Sequence, residues 1–129
     1  MSIDTLLTVL YALYAEWQKD IPNMRAVTAA SLEMDGTAFN IALYKLQELE
    51  LIRGAVFIRP DQSNYPVHVV MDKITMTKAG IEKTERELQL AEARTGREKL
   101  QKLKDKAAVF GWDVLANAAA AIIEQMAAK

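Results

Sequence analysis

Few side chains in this sequence are suited to acid–base, nucleophilic or metal chemistry. The 129-residue chain has a single histidine, His68, and no cysteine. Thiolate catalysis, a cysteine-ligated zinc ion and a Cys–His pair are therefore excluded. His68 lies in an alternating stretch typical of a β-strand, where a structural role is the simpler interpretation.

Acidic residues are more numerous, but their spacing matches no catalytic arrangement. Asp61, Asp72 and Glu82 lie in different segments and would meet only if the fold happened to bring them together. The five glycines do not form a glycine-rich phosphate-binding loop. We therefore predict no catalytic residue, no metal ligand and no cofactor, and a protein that is not an enzyme.

The composition describes a globular protein with one hydrophobic core. Hydrophobic residues make up 51% of the chain, charged residues 26%, and the net charge is −1. A net charge this small excludes binding to nucleic acid by bulk charge. The lack of cysteine suits a reducing compartment, and the first residues lack the features of a signal peptide, so we expect a cytoplasmic protein.

Helical periodicity begins at the first residues. Apolar residues at three- and four-residue steps predict a helix that Ser2 caps and that ends near Lys19. Trp17 ends its apolar stripe and is expected to be largely buried. A short second helix over residues 29–34, capped by Thr28, would need neighbours to pack against.

The next segments predict a third helix, a hairpin and a fourth helix. The third helix covers residues 37–51, with Asp35 as its cap. Strands at about 55–59 and 67–74 follow, joined by a loop rich in turn residues. Thr77 is expected to cap a long, charged helix. The fold class is therefore mostly α with a small antiparallel β-hairpin.

This order of elements resembles a winged helix-turn-helix domain. The run GTAFNIALYKLQELELIRG, followed by two strands and ITMTKAGIEKTERELQ, is similar to a recognition helix ending in L-x-x-x-x-L-I and a wing that closes into a T-x-x-G helix start. The nearest family is the YjcQ-like group of small bacterial and phage or prophage proteins of unassigned function, and PadR-like regulators are similar in outline. The resemblance covers residues 1–90 and implies a winged helix there, with residues 91–129 as a helical extension.

The outward side of the third helix is the candidate contact face. With Phe39 and Leu46 pointing inward, helical geometry turns a mixed set of side chains outward, and two arginines flank the first strand. We expect this face to contact a protein or DNA through Thr37, Asn40, Ile41, Tyr44, Lys45, Arg53 and Arg59. Burial of the apolar members by the C-terminal segment of the same chain is the alternative.

Two functions remain open for this face. Asn40 is able to pair with adenine, and Thr37 and Tyr44 are able to contact phosphates. Acidic residues, however, outnumber basic ones both in the third helix and over residues 1–80, which opposes phosphate binding. We favour an interaction or adaptor protein that forms homo-oligomers, and the alternative is a dimeric winged-helix DNA-binding transcriptional regulator.

The C-terminal third combines a charged segment with an apolar one. Residues 82–106 favour a solvent-exposed connecting helix, with Gly96 as a break or kink. The segment after Lys106 is apolar enough to suggest a membrane span, but Asp113 and Glu124 share one stripe and oppose insertion.

The opposite stripe of that last segment follows a heptad pattern. Its residues, which we expect to hold a homo-oligomer together, are Trp112, Leu115, Ala119, Ile122 and Met126. The partner of this seam would be the same segment of a second protomer or the outward surface at Ile41 and Tyr44. Packing back on the domain of the same chain is the alternative.

Overall fold

The computed structural model describes residues 3–60 and 66–127, and these are mostly helical with a small antiparallel hairpin. The helices are α1 (Thr5–Trp17), α2 (Gly36–Glu48), α3 (Lys78–Glu87), α4 (Gly96–Phe110) and α5 (Asp113–Ala127), with a 3-10 turn at Met24–Ala26. The strands are β1 (Ile52–Arg53), β2 (Val56–Ile58), β3 (His68–Val70) and β4 (Thr75–Met76).

Side-chain caps fix the starts of the helices. The predicted caps Asp35 and Thr77 are confirmed, because their side chains accept hydrogen bonds from the backbone N–H groups three residues later. Asp4 caps α1 in the same way, in place of the predicted Ser2, which lies outside the described residues. Thr95 caps α4. Local polar side chains therefore determine where each of these helices begins.

The predicted second helix over residues 29–34 is wrong, because this segment forms only consecutive turns. Thr28 does accept a hydrogen bond from the backbone of Ser31, at 3.0 Å, as a cap would. The chain then leaves the helical path at Glu33, whose φ is 53°. So short a segment gains too few hydrogen bonds to continue as a helix, and burial of Leu32 holds it in place.

The hairpin consists of two short antiparallel ladders separated by a bulge. β1 pairs with β4 and β2 with β3, and between the ladders residues 54–55 lie opposite residues 71–74. The predicted strands at 55–59 and 67–74 are thus placed correctly but are shorter. Gly54 makes the bulge possible: its φ is 88°, and a Cβ there would lie 1.9 Å from the carbonyl oxygen of Lys73.

The helix that begins after Thr77 is shorter than predicted, and the break or kink predicted at Gly96 corresponds to the start of a separate helix. α3 ends at Glu87, and α4 begins only at Gly96. The chain breaks there because Leu88 and Leu90 turn into the core, where they are 3% and 0% exposed. The pattern of charge had suggested a solvated helix, but burial of these leucines outweighs helix propensity.

α5 packs within its own chain. Leu115, Ala119 and Ile122 are 2%, 0% and 8% exposed and join the core formed with α1 and α4. Trp112 and Met126 are half-buried beside them. The proposed oligomerisation seam is therefore covered by the same chain, which is the alternative that the sequence left open.

α1 is buried on all sides over residues 9–16, and two of its tyrosines tie it to α3. Tyr11 donates to Glu87 at 2.9 Å and Tyr14 to Glu85 at 2.8 Å. Burial, together with the hydrogen bond to a carboxylate, raises the pKa of both tyrosines. Trp17, at the end of the helix, is half-buried and not largely buried as predicted, because it lies at the edge of the core.

Candidate protein-contact face

The outward side of α2 is partly covered by the hairpin and not by the C-terminal segment. Thr37 and Lys45 are exposed, and Asn40, Ile41 and Tyr44 are half-buried. We call the surface made by Asn40, Tyr44, Arg59 and Val67 the helix–hairpin face. The structure thus brings three of the predicted contact residues, Asn40, Tyr44 and Arg59, together at one junction.

Tyr44 is the centre of that junction. Its ring meets the ring of Phe57 edge-on, with centroids 5.4 Å apart, and the guanidinium of Arg59 lies 4.5 Å from its centroid. The strand register explains this, because Phe57 and Arg59 are two residues apart on β2 and its continuation and so share one side. An arginine stacked on an aromatic ring is held in place and can still donate hydrogen bonds at its edge.

Asn40 is engaged in the fold. Its Nδ2 donates to the carbonyl oxygen of Val67 at 3.2 Å, which ties α2 to the start of β3. Bidentate recognition of adenine requires the same amide. The hydrogen bond to Val67 therefore weakens the interpretation of Asn40 as a base reader and supports one in which it positions the hairpin.

Two other predicted residues lie away from Tyr44. Ile41 faces the start of α1, where it lines a shallow cavity with Thr5 and Leu6. Arg53 is exposed on β1, at the base of the hairpin, where it pairs in register with Thr75. These two residues therefore border the face and do not form its centre.

Gln47 is a positioning residue that sequence reasoning missed. Its side-chain amide donates to the carbonyl oxygen of Ala55 at 3.1 Å and accepts from the Ala55 N–H at 2.8 Å. This pair of bonds satisfies the backbone at the bulge and fixes the hairpin to α2. No local pattern identifies such a residue, because its partner is defined only once the hairpin has folded back.

The side of the hairpin that faces away from α2 was also missed. The register places Val56 opposite Val70 and Ile58 opposite His68, so these four side chains share one side. Val56 is 55% exposed and Ile58 is 50% exposed. We call this surface the outer hairpin face, and the alternation in AVFIR was the signal that could have revealed it.

The acidic residues considered for catalysis lie apart. Asp72 is near Arg25, at 3.6 Å, and Glu82 is near Lys78, at 3.9 Å, both at the surface. Asp61 lies outside the described residues. Over residues 3–60 and 66–127, no group of three or more His, Cys, Asp or Glu side chains is arranged to hold a metal ion.

Comparison of the chain with protein-family models, with curated proteins and with solved structures gives no match. Among the helices described, none combines the length and the apolar character needed to cross a membrane.

Proposed function

We propose that this chain is a non-enzymatic adaptor protein of phage or prophage type, built on a winged-helix scaffold, that binds a partner protein through its hairpin and α2 and that forms homo-oligomers. The order α1, turn segment, α2, hairpin and α3 supports the winged-helix assignment. The single observation that carries the function is the exposed outer hairpin face at Val56 and Ile58.

Exposed aliphatic side chains on so small an element favour a protein partner. A two-stranded hairpin is marginally stable alone and needs packing on one side, which Phe57 provides against Tyr44 of α2 and Val69 provides by burial in the core. Val56 and Ile58 are not needed for that packing. Neighbouring apolar side chains left on a surface are typical of a protein–protein interface.

The helix–hairpin face adds the residue types that dominate binding energy. Tyrosine and arginine are enriched among interface residues whose truncation costs most, and here Tyr44 and Arg59 are stacked before any partner arrives. Such preorganisation lowers the entropy lost on binding. Charge also favours a protein partner over DNA. Exposed Lys45 is followed one turn later by exposed Glu48, whose negative charge opposes phosphate binding.

The alternative is a dimeric winged-helix DNA-binding transcriptional regulator, and one observation favours it. Arg53, Arg59 and Lys45 all lie on the hairpin or on α2 and are exposed. Cations in these positions are able to contact phosphates on either side of a groove. The two functions predict different partners for the same part of the chain.

Site-specific photo-crosslinking in the native host tests the proposal. A photoreactive residue at Ile58 is expected to give a discrete protein adduct, whereas the same residue at Ile21, which is 80% exposed elsewhere on the chain, gives none. In parallel, a mobility-shift titration with random-sequence duplex DNA is carried out at low and moderate salt. A salt-dependent shift that Arg59→Ala weakens, with no adduct at Ile58, would overturn the adaptor function in favour of DNA binding.

A further inference from the structure

The described part of the hairpin carries more positive than negative charge. Arg53, Arg59 and Lys73 are exposed, and the one acidic side chain among the described hairpin residues is Asp72. Asp72 lies 3.6 Å from the guanidinium of Arg25, which offsets its charge. The hairpin is therefore locally cationic in a chain whose net charge is −1, and an acidic partner is favoured there.

Aliphatic side chains share the outer hairpin face with one of these cations. Ile52 and Ala55 are buried, whereas Arg53, Val56 and Ile58 are exposed. The last three therefore lie on the side of the strand that faces away from the core. A phosphate backbone offers nothing for aliphatic side chains to pack on, whereas an extended peptide presents a side chain to each face at every second position. This surface therefore fits a peptide better than a nucleic acid.

β3 has a free edge. Within the described residues β3 pairs only with β2, so no strand lies along its other edge. The corresponding edge of the first strand is occupied at Ala55, whose N–H and carbonyl oxygen are both bonded to the side chain of Gln47. An extended peptide is able to add to a free edge, where main-chain hydrogen bonds provide affinity and alternate side chains provide specificity. Binding at β3 would therefore not depend on buried apolar area alone.

We propose that the partner protein contributes an extended segment, with acidic residues and alternating aliphatic ones, that adds to β3 as a third strand. Its aliphatic side chains continue the row formed by Val56 and Val70, which lie opposite each other. Neighbouring strands lie about 4.8 Å apart, so its acidic side chains come within the roughly 10 Å over which exposed charges attract at ordinary salt. The inference rests on the proposed function, because it assumes a protein partner at the hairpin, and it names the form of that partner.

Selection from a random twelve-residue peptide library displayed on phage, with the full chain as bait, tests the chemistry of the segment. Enriched peptides are expected to contain Asp or Glu together with alternating Val, Ile or Thr. Arg53→Glu should raise the dissociation constant of an enriched peptide at least about fivefold. Arg97→Glu is the matched control, because Arg97 is an exposed arginine on α4, and it should leave the affinity unchanged. Thermal melts check that both variants fold.

Amide hydrogen exchange tests the position of the segment. The enriched peptide should slow exchange at one or more amides of β3 and leave the amides of α4 unchanged. A selection that enriches no acidic peptide, or a bound peptide that protects no amide of β3, overturns the inference. If the photoreactive residue at Ile58 still gives a protein adduct, the proposed function stands without it. Binding of random-sequence duplex DNA that Arg53→Glu weakens, with no peptide enriched and no adduct at Ile58, overturns both.

Discussion

Single residues differ in how far the sequence reveals their roles. Tyr44 could be placed on the outward side of α2 from helical periodicity alone. Its contacts with Phe57 and Arg59 could not be predicted, because they depend on the angle at which the hairpin folds back. Gln47 and the Tyr11–Glu87 pair were missed for the same reason, since their partners are distant in the sequence.

The hydroxyls of Tyr11 and Tyr14 make stability sensitive to alkaline pH. Their pKa values are raised in the folded chain by burial and by the carboxylates that they contact. An unfolded tyrosine ionises near pH 10, so the stabilisation is complete below about pH 10 and is lost as the pH rises above it. We expect the free energy of unfolding to fall above that pH.

The double variant Tyr11→Phe, Tyr14→Phe should lower stability at neutral pH and flatten this alkaline loss. Urea unfolding followed by circular dichroism between roughly pH 7 and 11 measures both effects. Tyr44→Phe serves as the control. Because the ring contacts of residue 44 remain, the free energy of unfolding of this variant should fall with rising pH as steeply as that of the wild type. If the free energy of unfolding falls equally steeply with rising pH in the double variant and the wild type, the hydroxyl–carboxylate contacts do not contribute to the alkaline loss of stability.

At the scale of elements, what the sequence predicts correctly is local. Caps such as Asp35 and Thr77 act over three residues, and the hairpin has turn-forming residues between alternating strands, so these features were found. The sequence predicts a break or kink at Gly96 but not the end of α3 at Glu87, because that end depends on the burial of Leu88 and Leu90 in the core. The alternation in AVFIR places Val56 and Ile58 on one side of the strand, but their exposure depends on what the rest of the chain leaves uncovered.

Close packing of α3 on the β1 end of the hairpin depends on Gly80. A Cβ at this position would lie 2.0 Å from the backbone carbonyl oxygen of Leu51, so the helix would have to move. We expect Gly80→Ala to destabilise the chain by about 1–3 kcal/mol. Gly36→Ala is the control: no atom lies within 4 Å of the added methyl group, and the change should be neutral or stabilising. Chemical denaturation compares the two, and similar midpoints would contradict this packing.

At the scale of the whole molecule, the apolar segment at the C-terminus is part of the core. The sequence showed a seam that needed a partner, but periodicity does not distinguish a partner in the same chain from one in a second chain. The structure covers Leu115, Ala119 and Ile122 internally and leaves apolar residues at the α4–α5 turn. These three seam residues are therefore not available to a second copy.

Removal of one buried side chain from α5 tests this arrangement. Leu115→Ala should cost about 2–5 kcal/mol, because Leu115 is only 2% exposed. Ile21→Ala, at a position 80% exposed, should change stability by less than about 0.5 kcal/mol. Guanidinium unfolding followed by circular dichroism provides both values. A cost for Leu115→Ala that is no greater than that of the control would mean that α5 is not part of the cooperative core.

The packing of α5 on α1 has a consequence for how the protein is made. α1 is covered in part by α5, so a contact between two helices that are far apart in the sequence is needed to complete the core. Contacts of such long separation form late in folding. Until α5 has been synthesised, one side of α1 stays open to water, and a chain that stops short of α5 has an apolar surface that favours aggregation.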